Sequence, residues 1–535
     1  MRPRKEEGNL KGISNPGRFL IAVILCVGLF SACIRRDEEF SLEISPTSTP
    51  HDQAQRTPTE PSGEQETPTE PPEESGGIPI VPGKISNMGI LAVIPQGSGS
   101  TNDPAAIKAV NDVGAGYMRV NLDWAVSEPS PGELSFDTRN DRKIERIEGS
   151  GLRIFPTVYV GIGWMSEESA ASTDTRSRSY PPDDLSSSWD DVYGYSQGYY
   201  EFLYQFFTHY RGHFDYVAIE NEANSSLFWG GTADEYVRLL RTAYKAIKDA
   251  DPDVFIVDSG FVSSVWGICI FDDYLKMGLK SKDEIVDMAV SYYSSPTATH
   301  QIQSENELDE YLSNPRVQEQ CRRVNHILGE ILDSVDGINF HFYEDYRVMH
   351  FITDWLELKK SSVGSSPAIV TNELGQRGPD LSYAKSDEHA IEVFKKLITG
   401  LSLQLDVIVW FSIDTIGKQT PSPDKVGLFG AEGVLRPVAR TFELVLRTID
   451  SEYYVKEIVS AGPTLFHYVF ADSVGNPSLE ALWSEGDEQL VSLSSPEGAR
   501  EVLLIDYAGS SQSFPVEGGS FEFLLDGVPY FILWK

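Results

Sequence analysis

The sequence predicts an α/β chain: a TIM (β/α)8 barrel followed by a small C-terminal β-sandwich. Three observations predict it. Eight apolar, mostly continuous runs recur through the middle of the chain, and amphipathic stretches at helical spacing separate them. Beyond residue 451 the texture changes to short strand-like runs broken by Gly, Asp, Asn and Ser. Continuous apolar runs are what strands covered on both faces require, whereas a half-solvated sheet alternates.

The eight runs are MGILAVI from Met88, GYMRVNL from Gly116, LRIFPTVYV from Leu152 and DYVAIEN from Asp215, then VFIVDSG from Val254, GINFHFY from Gly337, PAIVTNE from Pro367 and LDVIVWFS from Leu405. Asp234–Asp249, which stops at Asp251-Pro252, and His389–Leu401 read as intervening helices. The largest insertion, Trp266 to Ser334, follows the fifth run, and Arg436 to about Thr448 reads as the last barrel helix. The barrel is thus placed at 83–451. The sandwich is placed at 452–535, with strands at LFHYVFA, SLEALWS, QLVSLSS, EVLLIDY, FEFLLDG and PYFILWK.

Ahead of the barrel the chain is built for export. Arg2, Arg4, Lys5, Lys11 and Arg18 precede an apolar run from Phe19 to Phe30, cut off by Ser31-Ala32-Cys33. A basic segment, a short apolar segment and small residues before a cleavage point describe a signal peptide. The run falls short of the roughly 20 apolar residues of a membrane span. Leu29-Phe30-Ser31-Ala32-Cys33 resembles a bacterial lipobox, which implies that residues 1–33 are a lipoprotein signal peptide and Cys33 the acylated N-terminus. The alternative is an ordinary signal peptide or an uncleaved anchor. Either way the remainder faces outward, on the cell envelope or surface. Residues 34–82, rich in Pro, Thr, Glu and Ser, bury too little apolar surface to offset their ordering entropy and read as a disordered tether.

Composition narrows the partners. Lys and Arg total 44 against 80 Asp and Glu, a net charge of −36, which repels phosphate backbones and excludes nucleic acid. A neutral carbohydrate meets no such penalty, and contact with a membrane is expected only through the lipid anchor. A monomer is expected. Among 535 residues there are 9 His and 4 Cys, with no Cys/His cluster at metal-ligand spacing, so neither a metal nor another cofactor is expected. Outside the leader stand Cys269 and Cys321, either a disulfide or two separate buried thiols.

Barrel active sites lie where strands end and βα-loops begin. The fourth run ends in Glu220-Asn221-Glu222 and the seventh in Asn372-Glu373. The second carries Arg119 and leads into Trp124 and Glu128-Pro129, the sixth ends in His341-Phe342-Tyr343, and the eighth contains Trp410. Two carboxylates on separate strands of one cleft can flank a glycosidic bond, one as proton donor and one as nucleophile.

The stretch YMRVNLDWAVSEPSPGELSFD, the Asn-Glu pair, HFY and TNELG resemble glycoside hydrolase clan A, sharing parts with families five, thirty-nine and forty-two. The resemblance implies a retaining β-glycosidase, with Glu222 as acid/base and Glu373 as nucleophile. It implies that Asn221 binds the sugar 2-hydroxyl and that Arg119 and Tyr343 keep Glu373 ionised. It makes His341 the strand-six histidine of the site and Trp410 the aromatic floor under the sugar. Trp124 is either a site residue or part of an architectural turn. Departures exist: Ala223 stands where many members have Pro, and Glu220, two positions before Glu222, is a rival acid if strand alternation continues. Trp164, Trp189, Trp229 and Trp266, in loops after runs three to five, are candidate subsite walls. The competing readings are a non-catalytic carbohydrate-binding lipoprotein on an inactive barrel and an adhesion protein whose sandwich does the binding.

Overall fold

The computed structural model describes residues 88–91, 104–171, 178–294, 302–364, 366–376, 378, 382–413, 427–429, 435–449, 454–461, 464–472 and 474–535. The expected leader with Cys33 and the tether lie outside the described residues. Strands β1 (Met88–Leu91), β2 (Tyr117–Asp123), β3 (Arg153–Tyr159), β4 (Tyr216–Ile219), β5 (Phe255–Val257), β6 (Gly337–Phe342), β7 (Ala368–Gly375) and β8 (Ile408–Phe411) form a closed parallel barrel. β8 pairs back onto β1, so no edge remains open. Helix α1 (Pro104–Asp112) follows β1, α2 (Trp124–Ser127) and α3 (Arg139–Glu148) follow β2, and α4 (Glu167–Ala171) and α5 (Gln197–His209) follow β3. Then come α6 (Ala233–Ala250) after β4, and α7 (Ser263–Met277), α8 (Lys282–Tyr292), α9 (Glu305–Ser313) and α10 (Pro315–Ile331) after β5. Helices α11 (Met349–Val363), α12 (Asp387–Ser402) and α13 (Pro437–Thr448) follow β6, β7 and β8. No helix among the described residues is long and apolar enough to cross a membrane.

Local chemistry sets the helix ends. Thr138, Thr232 and Ser281 cap α3, α6 and α8 in reciprocal capping boxes with Asp141, Glu235 and Glu284. Pro315 and Pro437 open α10 and α13, where a missing N–H costs nothing. Tyr117, Phe155, Ala218, Val257, Val370, Val407 and Val409 fill the barrel, and the alternate residues of each strand face the helices. The insertion after β5 consists, among its described residues, of four helices joined by short connections, and a Cys269–Cys321 disulfide ties α7 to α10 with Cα atoms 5.1 Å apart.

After the barrel come β9 (Tyr454–Ala461), β10 (Leu465–Ala471), β11 (Pro477–Ser484), β12 (Gln489–Ser494), β13 (Glu501–Asp506), β14 (Ser511–Pro515), β15 (Ser520–Leu525) and β16 (Tyr530–Trp534). One sheet runs β14-β13-β16-β11-β10-β9 and a second is β12-β15, with Leu482, Val491, Leu493, Val502, Phe521 and Ile532 buried together. The expected barrel-plus-sandwich class is what the chain adopts. Two strands had no counterpart in the sequence reading: β9 and β14, the two edges of the larger sheet. The sandwich shares the barrel's outer core. Phe394 of α12 packs against Trp483 and Phe531, Tyr346 donates to Glu485 (2.5 Å), and Lys395 pairs with the same carboxylate (2.6 Å).

Candidate active site

The barrel brings Glu222, Glu373, Asn221, Arg119, His341 and Tyr343 together. Glu373 lies on β7 beside His341 of β6 in the strand register. Glu222 arrives differently. β4 ends at Ile219, and both Glu220 (φ 64°) and Glu222 (φ 43°) are left-handed, a conformation that costs a non-glycine residue about 1–2 kcal/mol. The turn is held from β3 and the end of β5: Glu220 N–H donates to Val158 O (3.0 Å), Glu222 N–H to Ser259 O (3.0 Å) and Ala223 N–H to Ser259 Oγ (3.1 Å). The strand's alternation is therefore broken, and the two acids part company.

Arg119, buried on β2, anchors the network. It donates to Glu373 Oε2 (2.9 Å), Asn372 O (2.8 Å), Asn221 Oδ1 (2.8 Å) and Thr157 Oγ1 (2.9 Å). Tyr343 donates its hydroxyl to Glu373 Oε1. Burial pushes the Glu373 carboxyl up, but His341, Arg119 and the Tyr343 hydroxyl together outweigh it and hold the group below its ordinary value. His341 faces oxygens on both sides, Glu222 Oε1 from Nδ1 (2.9 Å) and Asn372 Oδ1 from Nε2 (3.0 Å). Burial lowers its pKa, yet the carboxylates of Glu373 and Glu222 raise it further, and a protonated ring donates to both oxygens.

Two glycines make room for these side chains. At Gly260 (φ +66°) a Cβ would lie 2.4 Å from His341 Nε2, and at Gly375 a Cβ would lie 2.5 Å from the Tyr343 ring. One oxygen of Glu222, one of Glu373 and a nitrogen of His341 all fall within 4.8 Å of one another. That spacing suits a retaining pair, whose carboxyl groups stand about 5–5.5 Å apart, and is short of the roughly 6.5–9.5 Å that an inverting pair leaves for water. The same three groups are spaced to hold a cation, but it would sit beside the Arg119 guanidinium, which already neutralises Glu373.

Several sequence expectations are corrected. Glu220 is not a rival acid: its Oε1 accepts from Val160 N–H (2.7 Å) below the β3 loop, and burial lifts it to about 8. Trp410 is fully buried against Phe442 of α13, on the helix-facing side of β8. Its neighbour Phe411 lies on the barrel-interior side, edge-on to Tyr343 at 5.7 Å, so of this pair Phe411 and not Trp410 adjoins the site residues. Trp124 is architectural. Its indole donates to Glu128 Oε2 (2.7 Å) and its ring stacks on Phe202, 5.4 Å away. Trp164 packs on Trp124, and Trp229 and Trp266 are core residues; Trp189 is well exposed, at 45%, but its ring meets Tyr195, beside Thr242 of α6, and not a residue of the site, so none of the four is a wall of the cleft. The sequence reading assigned no role to Asn372, Ser259, Thr157 or Phe411. Only Asn372 carried a signal, its place beside Glu373.

No protein-family profile and no curated protein sequence matches the chain. Solved structures do. The chain is similar to a family 39 glycoside hydrolase from the gut symbiont Bacteroides cellulosilyticus, at 14% identity and TM-score 0.56, over 84% of this chain and 81% of that one. It is similar to the catalytic domain of the GH30 xylanase C from Talaromyces cellulolyticus, at 12% identity and TM-score 0.51, over 85% and 97%. A glucosidase from Croceicoccus marinus gives 11% identity and TM-score 0.50, over 84% and 96%. At these identities the likeness is one of fold.

Proposed function

We propose that the chain is a retaining glycoside hydrolase that cleaves β-linked oligo- or polysaccharides through a covalent glycosyl-enzyme. One observation carries the reading: two strand-end carboxylates lie within 4.8 Å, and one of them alone is held by a guanidinium and a phenolic hydroxyl. A carboxylate so held is kept ionised and aimed, as a nucleophile must be. Glu373 attacks the anomeric carbon while Glu222 gives its proton to the leaving oxygen. Glu222, now a carboxylate, takes a proton from the water that opens the ester, and two inversions give net retention. Asn221, its Oδ1 fixed by Arg119, offers its amide N–H groups to a sugar hydroxyl.

Proton NMR of the freshly formed anomer tests the stereochemistry. A β-product from a β-glycoside is expected, and an α-product overturns the double displacement. Glu373→Ala should abolish turnover. Glu222→Ala should accumulate the intermediate on dinitrophenyl glycosides, and azide should release it as the β-glycosyl azide.

The N-terminal pattern supports an enzyme held on the cell envelope by acylated Cys33. Cys33→Ser should abolish labelling by a clickable palmitate analogue, and equal labelling of both forms refutes the anchor.

A further inference from the structure

A group of aromatic rings apart from the residues of the site has no role in the chemistry above. It lies on the loop and helix that follow β3. Asp190 and Gly194 exchange two backbone hydrogen bonds (2.7 and 2.8 Å), and Asp190 Oδ1 accepts from the N–H groups of Val192 (2.8 Å) and Tyr193 (2.9 Å), which fixes a tight turn. Trp189 and Tyr195 flank the turn edge to face, 5.2 Å apart. At the turn Tyr193 meets Tyr200 of α5 at 5.7 Å, and Tyr200 lies parallel to Tyr204, 5.9 Å away with the planes 7° apart. Trp189 is 45% exposed and Tyr204 40%.

Of the two rings on α5, Tyr200 packs partly against the core, whereas Tyr204 is exposed. The helix buries its other face, Tyr199, Phe202, Leu203, Phe206 and Phe207, in the core. The outer rings are nevertheless fixed. Tyr200 donates to Asp249 Oδ2 (2.8 Å) while Lys245, itself paired with Asp249, lies 5.5 Å above its ring. Tyr195 N–H donates to Thr242 Oγ1 on α6 (3.0 Å). Rings held in place lose little conformational freedom on binding.

We propose that Trp189, Tyr193, Tyr195, Tyr200 and Tyr204 form an accessory platform that binds a neutral polysaccharide chain outside the cleft. Three properties select that occupant. Exposed aromatic rings complement the C–H faces of sugar rings. Polar groups border them, the exposed Asp190 and Asp191 and the Gln197–Glu201 pair joined at 2.8 Å, and these suit the hydroxyl rim of a sugar better than an apolar protein face. A chain of net charge −36 disfavours an anionic polymer. The platform rests on the carbohydrate-active reading of the cleft, but the two fail separately.

The test uses the full chain in mild detergent, unmodified and as Trp189→Ala/Tyr204→Ala, co-sedimented with insoluble xylan, cellulose and mannan, with turnover of aryl glycosides measured alongside. Both substitutions lie at exposed positions, and circular dichroism confirms the fold. The unmodified chain should be retained by at least one polymer, and the double variant should bind it about tenfold more weakly. Its kcat/KM on aryl glycosides should be unchanged. Equal retention of both forms, or retention of neither, overturns the platform. So does sedimentation velocity showing a dimer that the substitutions dissolve, because the surface then joins two copies. Retention that depends on Trp189 and Tyr204 in a chain that turns over no aryl glycoside leaves the platform standing and removes the catalytic reading.

Discussion

Replacing Cys269 and Cys321 by Ser together removes a cross-link whose ends are 52 residues apart. Loop-closure entropy for a separation of that size predicts a loss of about 4 kcal/mol, most of it acting by freeing the unfolded chain. At about 2.1 cal/mol/K per residue, a barrel of roughly 370 residues shifts its melting temperature by roughly 1–1.5 °C for each kcal/mol, so a fall on the order of 5 °C follows. The effect should also reach the site. Arg323, two residues from Cys321 on α10, donates to Ala223 O (3.2 Å) and Gly231 O (3.1 Å), and so braces the turn that presents Glu222. Urea denaturation of the full chain and the double variant, followed by circular dichroism, measures the loss. Aryl-glycoside turnover at a temperature where both are folded measures the coupling. A destabilisation below about 1 kcal/mol refutes the entropy argument, and peptide mapping that finds both thiols free removes the cross-link itself.

Three further outcomes follow from the site. Tyr343→Phe deletes the hydroxyl that favours ionised Glu373, so the acid limb of the kcat/KM profile should move to higher pH and activity at the optimum fall roughly 10- to 100-fold; an unmoved limb contradicts the assignment. Glu220 is lifted to about 8 from the ordinary 4.5, so the folded chain holds a proton that the unfolded chain has lost between those values. Stability from this group is therefore full below pH 4.5 and falls as pH rises to 8. Glu220→Gln should flatten part of that fall, measured by denaturation midpoints from pH 5 to 8.5, while the raised Asp258 (about 7) keeps a residual slope of the same sign. Gly260→Ala puts a methyl group 2.4 Å from His341 Nε2 at φ +66°, and should cost at least about 1–2 kcal/mol of stability and lower kcat by displacing the imidazole. Unchanged kcat would remove His341 from the machinery.

The barrel was legible because its strands are covered on both sides, so each reads as an unbroken apolar run bounded by turns. The edges of the sandwich were not. β14, SQSFP, is largely exposed, and β9, YVKEIVSA, exposes Ile458 and Val459 beside Lys456 and Glu457, so neither carries the apolar period of a buried face. At the site, residue types on particular strands could be read, but side-chain direction failed wherever the strand rhythm broke. Left-handed Glu220 and Glu222 cancel the two-residue alternation that made Glu220 a rival. On β8, whose side-chain parity a sequence cannot register, Trp410 turns to Phe442 of α13 and Phe411 to Tyr343. Trp124 was ambiguous because a buried indole and a sugar platform look alike until Phe202, far along the chain, stacks on it.

The Arg119–Glu373 contact spans 254 positions of sequence and crosses from β2 to β7. Thr157, Ser259 and His341, supplied by β3, the end of β5 and β6, complete the same network. Neither the β1–β4 half nor the β5–β8 half of the barrel holds the acid pair with its supports. Such non-local contacts form slowly, since loop closure must precede any gain from them. Under the proposed function, turnover should therefore return late in refolding, after the helices of the outer layer regain their ellipticity, because it needs both halves of the barrel to have met. Turnover by this cluster would then serve as an internal clock of ring closure, one that reads zero for any half-assembled chain.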